Sequence, residues 1–482
     1  MNKERFLELC RTNPEEVYNH FMILGKAIAD LTAHVEALQV KVDTLQEENR
    51  ELRARLNKNS SNSSKPPSSE EFVKTKSPRK KSGKKSGGQK GHEGHTYKMS
   101  STPDRVIIHR AQVCMCCGYS LEGQEAESDE RRQVHDIPPP KPEVTEHICE
   151  TLACKLCGTV NKASFPENVT QPFQYGENLI ATIVYLNQYQ FIPYKRIVEH
   201  FEVLYGIKIS EATVYNAITV MNEKLAPAEE AIIAALLASE VLNLDETGLR
   251  IEAKRQWLHV ASNDKYTHYK WHPKRGSEAT DAIGILPQFD GLAVHDYWKP
   301  YYKYCFEHSL CNAHNIRELT AITELTGQQW PQDMIDLLLE IKNTVDGLNG
   351  ELSTKDKKAY EKRYQDILEI GFRANPPPVS VKKRGRPKQG KARNMLNRLL
   401  NHQGEVLAFM EGSPEIFDNN QAERDLRMMK VKQKISGVFR SAKGADMFCR
   451  IRGYISTSRK HSVSAFAALK SALQGKPFIP EY

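Results

Sequence analysis

Two acidic residues lie inside apolar segments where carboxylates could do metal-dependent chemistry. Asp245 interrupts the apolar run of residues 240–252, and Asp296 lies near the end of a second run, residues 291–299. Burying a carboxylate is costly unless it binds a cation, so an acid at the end of an apolar strand is a candidate functional residue. Either acid alone could be structural, but their matched placement favours a shared site.

A third carboxylate is expected from a helix. Residues 417–442 read as a helix that Asn419 or Asn420 would cap, with Glu423 in its first turn. Three carboxylates can hold two Mg²⁺ ions (or Mn²⁺) about 3.5–4 Å apart, which suits phosphoryl transfer. We therefore predict a two-metal site formed by Asp245, Asp296 and Glu423.

The elements between these acids predict how they come together. Residues 240–252, 256–263 and 267–273 read as hairpin-connected strands, 276–289 as a helix and 291–299 as a fourth strand. This is the order of a ribonuclease H-like α/β core. In that order the first and fourth strands are neighbours, which would bring Asp245 next to Asp296.

A second metal site is predicted from paired cysteines. Cys114 and Cys117 form one C-x-x-C-G element, and Cys154 and Cys157 form another. Two such turns can present four thiolates tetrahedrally, which suits structural Zn²⁺, although redox pairs or buried thiols remain alternatives. Short strands are predicted at residues 105–110 and 144–152. Other residues could replace one of the four ligands: Cys116, Cys149, His135 or His147.

The first 56 residues have the pattern of a coiled coil. Leucines recur every seven residues from Leu24 to Leu52, and mostly β-branched residues stand four positions after each. This combination favours two parallel strands, and Asn49 at a core position would fix their register. We predict a homodimer through this segment; a single helix packed on its own domain is the alternative.

Basic residues are concentrated in three stretches of a chain whose net charge is +8. Residues 57–98, 379–394 and 424–452 hold 27 of the 68 Lys and Arg residues but only five Asp or Glu, so the remainder is acidic. This asymmetry favours a polyanionic partner over solvated surface charge. Residues 57–100, rich in Ser, Lys, Gly and Pro, should form a flexible basic linker.

Residues 171–235 read as helices. A helix at 194–205, a turn at Gly206, and a second helix capped by Ser210 and running through Leu225 resemble a helix-turn-helix. We expect this unit to bind DNA, although helical hairpins are also common in protein cores.

Several short motifs, in this order behind the double C-x-x-C, resemble the insertion sequence 66 family of bacterial DDE transposases. The resemblance covers nearly the whole chain, from the coiled coil to TSRK at 457–460. At HDYW the chain departs from the family's usual Ser-Asp-Gly. The motifs are LDET (244–247), HDYW (295–298), CNAH (311–314), DNNQAER (418–424) and KISGVFRS (434–441).

The resemblance implies a DDE triad of Asp245, Asp296 and Glu423 on a ribonuclease H-like fold. It also implies a zinc-binding domain, a helical insertion before the glutamate, and accessory proteins encoded by the same element. Cys311 and His314 resemble a C-x-x-H element of several transposases, which could equally be a structural pair.

The 126 residues between Asp296 and Glu423 agree with an insertion. Amphipathic patterns at 332–349 and 355–373 predict a helical hairpin. The following V-K-K-R-G-R-P-K could be a minor-groove hook or a disordered basic linker. Residues expected to contact DNA are Lys383, Arg384, Arg386, Arg424, Arg427, Lys430 and Lys432.

The predicted organisation has eight parts. They are a coiled coil (1–56), a basic linker (57–100), a zinc-binding domain (101–170), a helix-turn-helix-like region (171–235), the first part of the core (236–325), a helical insertion with the hook-like linker (326–412), the core helix (413–442) and a C-terminal helical region (443–482).

Taken together, the sequence predicts a dimeric DNA transposase that acts with Mg²⁺ or Mn²⁺. Two alternatives stay open: a zinc-ribbon regulator derived from a transposase but without catalysis, and a nuclease that cuts without joining. The absence of a long apolar run and the polar, acidic start predict a cytoplasmic, nucleoid-associated protein with no membrane partner.

Overall fold

The computed structural model describes residues 3–56, 98–138, 140–348, 352–377, 389–411 and 414–479. The helices are α1 (Lys3–Thr12), α2 (Pro14–Leu56), α3 (Glu177–Val184), α4 (Tyr194–Tyr205), α5 (Glu211–Lys224), α6 (Ala226–Leu237), α7 (Ser277–Ile283), α8 (Asn312–Thr326), α9 (Trp330–Gly347), α10 (Thr354–Ala374), α11 (Lys391–Asn401), α12 (Gln403–Leu407), α13 (Asn420–Ser436), α14 (Ala442–Lys460) and α15 (Ala465–Leu473).

The strands are β1 (Thr151–Ala153), β2 (Val160–Lys162), β3 (Val241–Ile251), β4 (Lys254–Ser262), β5 (Thr267–His272), β6 (Leu292–His295) and β7 (Glu307–Leu310). β3 to β7 form a mixed five-stranded sheet in the order β5-β4-β3-β6-β7. β3, β4 and β5 are joined by two hairpins and pair antiparallel. β6 pairs in parallel with β3, and β7 pairs in parallel with β6. The predicted adjacency of the first and fourth strands is therefore confirmed.

The helix between β5 and β6 is shorter than predicted. We expected it to span residues 276–289, but α7 ends at Ile283. Gly284 follows with a φ of +82°, a left-handed conformation in which glycine commonly ends helices. Pro287 comes three residues later and cannot donate a helical hydrogen bond. The apolar pattern continued past the end of the helix because the following turn is also buried.

The helices predicted at 332–349 and 355–373 are present as α9 and α10. They join α11 and the β6–β7 edge of the sheet in one hydrophobic cluster that includes Val294, Trp330 and Leu396. Gly371 lets α10 approach closely, because a Cβ atom there would lie 2.5 Å from Leu396 Cδ2 and 3.1 Å from Trp330 Cδ2. The insertion thus packs onto the sheet beside the strand that leads to Asp296.

The two helices of the helix-turn-helix-like unit are α4 and α5. Gly206 ends α4 with a φ of +68°, and the Ser210 hydroxyl accepts a hydrogen bond from the Thr213 N–H at the start of α5. The predicted turn and cap are therefore confirmed. The buried face of α5 packs in one cluster with α14 and α15 from the C-terminal part of the chain.

The predicted N-terminal helix is one continuous 43-residue α2, preceded by the short α1. Its heptad side chains are exposed; Leu31 and Leu38, for example, retain 65% and 59% of their accessible surface. Within the part of the chain that the structure describes, no helix is long and apolar enough to cross a membrane.

Candidate active site and cysteine ribbon

Asp245 and Asp296 lie at matching positions on neighbouring strands. The parallel pairing of β3 and β6 ends at Asn243 opposite Val294, and each acid follows two residues later, Asp245 within β3 and Asp296 directly after β6. Both side chains are partly exposed at this end of the sheet. The sheet itself therefore brings the two predicted carboxylates together.

The electrostatics of this site disfavour uncompensated negative charge. Burial raises the pKa of Asp245 well above its usual value, and the nearby carboxylates of Glu246, Asp296 and Glu423 raise it further. Burial, followed by Glu246, also raises the pKa of Asp296. A bound cation would offset this crowding of negative charge, because it favours the ionised form of each carboxylate.

Glu423 reaches the same site from the first turn of α13, where its N–H donates to the carbonyl of Asn419. Its Oε1 lies 3.8 Å from His314 Nε2 and 3.5 Å from an Arg317 Nη atom. The charges of Glu423 and Asp296 also act on His314, although burial dominates and lowers its pKa. The structure therefore brings all three predicted acids together.

Asn419 occupies the position before α13, as predicted, but its side chain does not cap that helix. Its amide instead donates to the carbonyl of Leu244, next to Asp245, at 2.7 Å. Cys311 of the C-x-x-H element is buried and accepts the Asn419 N–H. Cys311 therefore has the structural role that the sequence left open as an alternative, whereas His314 lies beside the carboxylates.

Sequence reasoning missed Glu246, the residue after Asp245. Its side chain is 1% exposed, pairs with Arg275 at 2.5 Å and accepts a hydrogen bond from the Tyr301 hydroxyl at 2.6 Å. Arg275 also stacks 3.7 Å above the ring of Trp298. Successive side chains of a strand point to opposite faces, so two adjacent acids cannot both face the same side. The neighbouring acids of this apolar strand were therefore the available signal that a second carboxylate is buried.

The donor set fits Mg²⁺ or Mn²⁺ by its chemistry, since carboxylate oxygens are the hard ligands that both ions prefer. Among the described residues, no three His, Cys, Asp or Glu side chains are arranged closely enough to hold a metal ion as they stand. The three acids therefore share a site without forming a closed coordination shell.

The two cysteine pairs form matching turns. Gly118 donates to the Cys114 carbonyl and Gly158 to the Cys154 carbonyl, and both glycines adopt left-handed backbones. β1 and β2 form a hairpin around the second turn. The strand predicted at 105–110 is absent, and the one predicted at 144–152 is wrong except for its end, because only Thr151–Ala153 pairs with a second strand.

The expected DNA contacts fall into three groups. Arg424, Arg427 and Lys430 are exposed on α13. Lys432 differs from the expectation: it is 8% exposed, and its ammonium lies 3.8 Å from the centre of the Phe439 ring. Burial lowers its pKa to about 8. The remaining three, Lys383, Arg384 and Arg386, lie outside the described residues, as do most of the basic linker and the hook-like segment.

These features define a mixed α/β protein with an acidic site at one end of its sheet and a ribbon of paired cysteine turns. Comparison with family models then shows that the chain belongs to the IS66 family of transposases. Residues 172–447 match the transposase IS66 family, a DDE transposase domain, and residues 111–158 match the zinc-finger binding domain of transposase IS66. Residues 24–98 match a family of unknown function.

A similar protein is the uncharacterized protein y4hP of Sinorhizobium fredii (strain NBRC 101917 / NGR234). The two are 22% identical over 412 residues, which cover 77% of this chain and 71% of that protein.

Proposed function

We propose that this chain catalyses metal-dependent cleavage and strand transfer at the ends of an insertion sequence, with Asp245, Asp296 and Glu423 as its DDE triad. The observation that carries the proposal is the parallel pairing of β3 with β6, since Asp245 and Asp296 each follow two residues after the last paired position. The strand order, three antiparallel strands joined by two hairpins and followed by two parallel strands, supports a ribonuclease H-like core. Membership of the IS66 family supports the chemistry.

In this proposal the triad holds Mg²⁺ or Mn²⁺. Such ions, when bound, activate the attacking oxygen and stabilise the leaving oxygen of a phosphodiester. Water first cleaves the element end to leave a 3′-hydroxyl, and that hydroxyl then attacks a target phosphodiester and displaces its 3′ oxygen. No covalent bond to the protein is needed in either step.

The chain's own residues would orient the DNA around these carboxylates. Arg424, Arg427 and Lys430 are exposed on the helix that carries Glu423. Cations at these positions would bind phosphates and set the register of the substrate without reading its sequence. Lys432 is not included, because its ammonium packs against Phe439.

An assay with DNA from both flanks of this gene tests the proposal and its two rivals. With Mg²⁺ or Mn²⁺, we expect cleaved element ends and products in which those ends are joined to target DNA. Cleavage without joining would favour the nuclease. Specific binding without cleavage, also in the presence of the accessory proteins, would favour the regulator.

The chain would act as a dimer through α2. The leucine ladder is exposed along this helix, rather than packed on the chain's own core. A second copy would bury it in a parallel coiled coil, with Asn49 fixing the register. Two linked active sites suit the synapsis of two element ends.

We expect removal of residues 24–56 to halve the mass of the particle in sedimentation. The variant L31S/L38S should do the same at full chain length, because two buried polar substitutions disrupt the apolar seam. The matched variant E36S/K41S changes residues outside the ladder and should remain dimeric. A dimeric mass for L31S/L38S would contradict the coiled-coil proposal.

Cys114, Cys117, Cys154 and Cys157 would hold one structural Zn²⁺. The proposal is supported by the two matching turns and by the zinc-finger family match. Zinc binding requires thiolates, and backbone hydrogen bonds from Cys117 and Cys116 lower the pKa of Cys114.

Metal analysis of the purified protein tests these ligands. We expect about one zinc per chain in the wild type, because structural sites use four ligands for one ion. The substitution Cys114→Ser should release most of it, whereas Cys116→Ser, two residues further along the chain, should not. Zinc lost from Cys116→Ser and retained in Cys114→Ser would reassign the ligand.

The remaining parts of the chain are proposed to serve the same reaction. The domain boundaries follow the eight parts given above, with the basic linker, α4–α5 and the hook-like Lys383, Arg384 and Arg386 as further DNA contacts. Accessory proteins encoded by the same element would assist, and the protein would act at the bacterial nucleoid.

A further inference from the structure

We propose that Asn419 and Cys311 are positioning residues that hold the three acids of the site in one arrangement. This inference rests on the proposed function, because it concerns the same metal-binding carboxylates. Neither residue contacts the substrate in this proposal; both act through the backbone next to the acids. We call these two residues and their hydrogen bonds the positioning node.

Asn419 links α13 to β3. It is 2% exposed, and its side-chain NH₂ donates to the carbonyl of Leu244 at 2.7 Å. Its side-chain oxygen accepts a hydrogen bond from the Asn243 amide at 3.1 Å. Leu244 immediately precedes Asp245, and the Asn419 carbonyl accepts the N–H of Glu423. One buried amide therefore fixes the distance between two of the three acids.

Cys311 links the same residue to the third acid. Its Sγ accepts the Asn419 N–H at 3.2 Å. Its own N–H donates to the carbonyl of His295, the residue before Asp296, at 3.0 Å. The hydrogen bonds thus run without interruption from the backbone beside Asp245, through Asn419 and Cys311, to the backbone beside Asp296.

The character of these groups favours positioning over plain packing. A buried amide that loses its partners carries a desolvation cost, so its hydrogen bonds specify one arrangement. Burial raises the pKa of Cys311 to about 12, which keeps it a neutral thiol able to accept the Asn419 N–H. Groups hydrogen-bonded directly to metal ligands change metal affinity by about 10–100-fold when they are removed, and because Asn419 and Cys311 act one step further away we expect the lower end of that range.

Mn²⁺ binding to the zinc-loaded, full-length protein provides the test, with calorimetry as the readout and Asp245→Asn as the reference that defines the site. We expect Cys311→Ala to weaken Mn²⁺ binding by about tenfold, because it removes the acceptor. Cys311→Ser should bind within about threefold of wild type, since its hydroxyl can accept the same N–H. A pure packing role predicts no advantage for serine over alanine at this buried position.

Cys449 supplies the matched control. It is the other buried cysteine among the described residues and lies on α14 in a cluster with Tyr269 and Phe448. Cys449→Ala should lower the melting temperature but leave Mn²⁺ affinity unchanged. A parallel loss of affinity in this variant would show that general destabilisation, rather than the node, weakens metal binding.

The outcomes separate this inference from the proposed function. Equal Mn²⁺ affinity of wild type and Cys311→Ala, or serine as weak as alanine, would overturn the positioning node. The inference would also be overturned if the wild type showed no Mn²⁺ binding that Asp245→Asn weakens, because there would then be no metal site for the positioning node to arrange. Graded Mn²⁺ affinities in a protein that never cleaves DNA would support the node and reject the transposase reaction.

Discussion

Replacing Asp245 with asparagine should lower DNA cleavage by about 10³-fold or more while leaving DNA binding intact. The substitution keeps the size of the side chain but removes one negative ligand from the triad, and metal-assisted transition-state stabilisation is worth several kcal/mol. The basic face of α13 is unchanged, so phosphate contacts should persist. Nicking of a plasmid carrying the flanks of the gene measures cleavage, and a gel-shift experiment measures binding.

Asp446→Asn is the matched control. Asp446 lies on α14, accepts a hydrogen bond from the Trp271 indole N–H and pairs with Lys270 at 3.5 Å. This variant should cleave at nearly the wild-type rate. Retained cleavage in Asp245→Asn would contradict the assignment of the first acid, and lost DNA binding would mean that its role is structural.

Removing the Glu246 side chain should cost about 2–3 kcal/mol in the free energy of unfolding, because it breaks hydrogen bonds to a charged group while the Arg275 side chain it leaves behind is 32% exposed and partly solvated. Glu246→Ala leaves Arg275 without its carboxylate and the Tyr301 hydroxyl without its acceptor. The four tryptophans of the chain are Trp257 on β4, Trp271 on β5, Trp298 after β6 and Trp330 at the start of α9. Denaturant unfolding followed by tryptophan fluorescence therefore reports on this region.

Glu246→Gln separates the charge from the shape of that side chain. Its amide oxygen can still accept one hydrogen bond, so we expect a loss clearly smaller than that of Glu246→Ala. A loss below about 1 kcal/mol for the alanine variant, the median for exposed pairs, would show that the Arg275 pair behaves as a surface salt bridge.

Much of the site could be predicted because its acids interrupt apolar strands. The chain order of those strands then gave the pairing of β3 with β6, which the structure confirms. Glu423 followed from the helical pattern around it. Each of these inferences depends on local periodicity and on the few ways in which such strands can be connected.

The links between distant segments could not be predicted in the same way. Asn419 and Cys311 are 108 residues apart, and no local pattern indicates that one accepts a hydrogen bond from the other. The same holds for the packing of α5 against α14 and α15, which closes the C-terminal helices onto the helix-turn-helix-like unit. Tertiary contacts decide these arrangements.

Lys432 was mispredicted although a signal was available. Ala422, Leu426 and Met429 form the buried stripe of α13, and residue 432 continues that stripe at helical spacing. The positive charge of this stretch does not by itself indicate which face of the helix each basic residue occupies. Arg424, Arg427 and Lys430 lie off that stripe and are exposed.

Iron-mediated cleavage of the protein itself tests most directly whether Asp245, Asp296 and Glu423 form one metal site. Fe²⁺ loaded in place of Mg²⁺, with ascorbate and peroxide, generates hydroxyl radicals that cut the backbone near the bound ion. We predict cuts close to all three residues in the wild type and their joint loss in Asp245→Asn. Cuts near only one of them, or cuts that persist in Asp245→Asn, would contradict the triad.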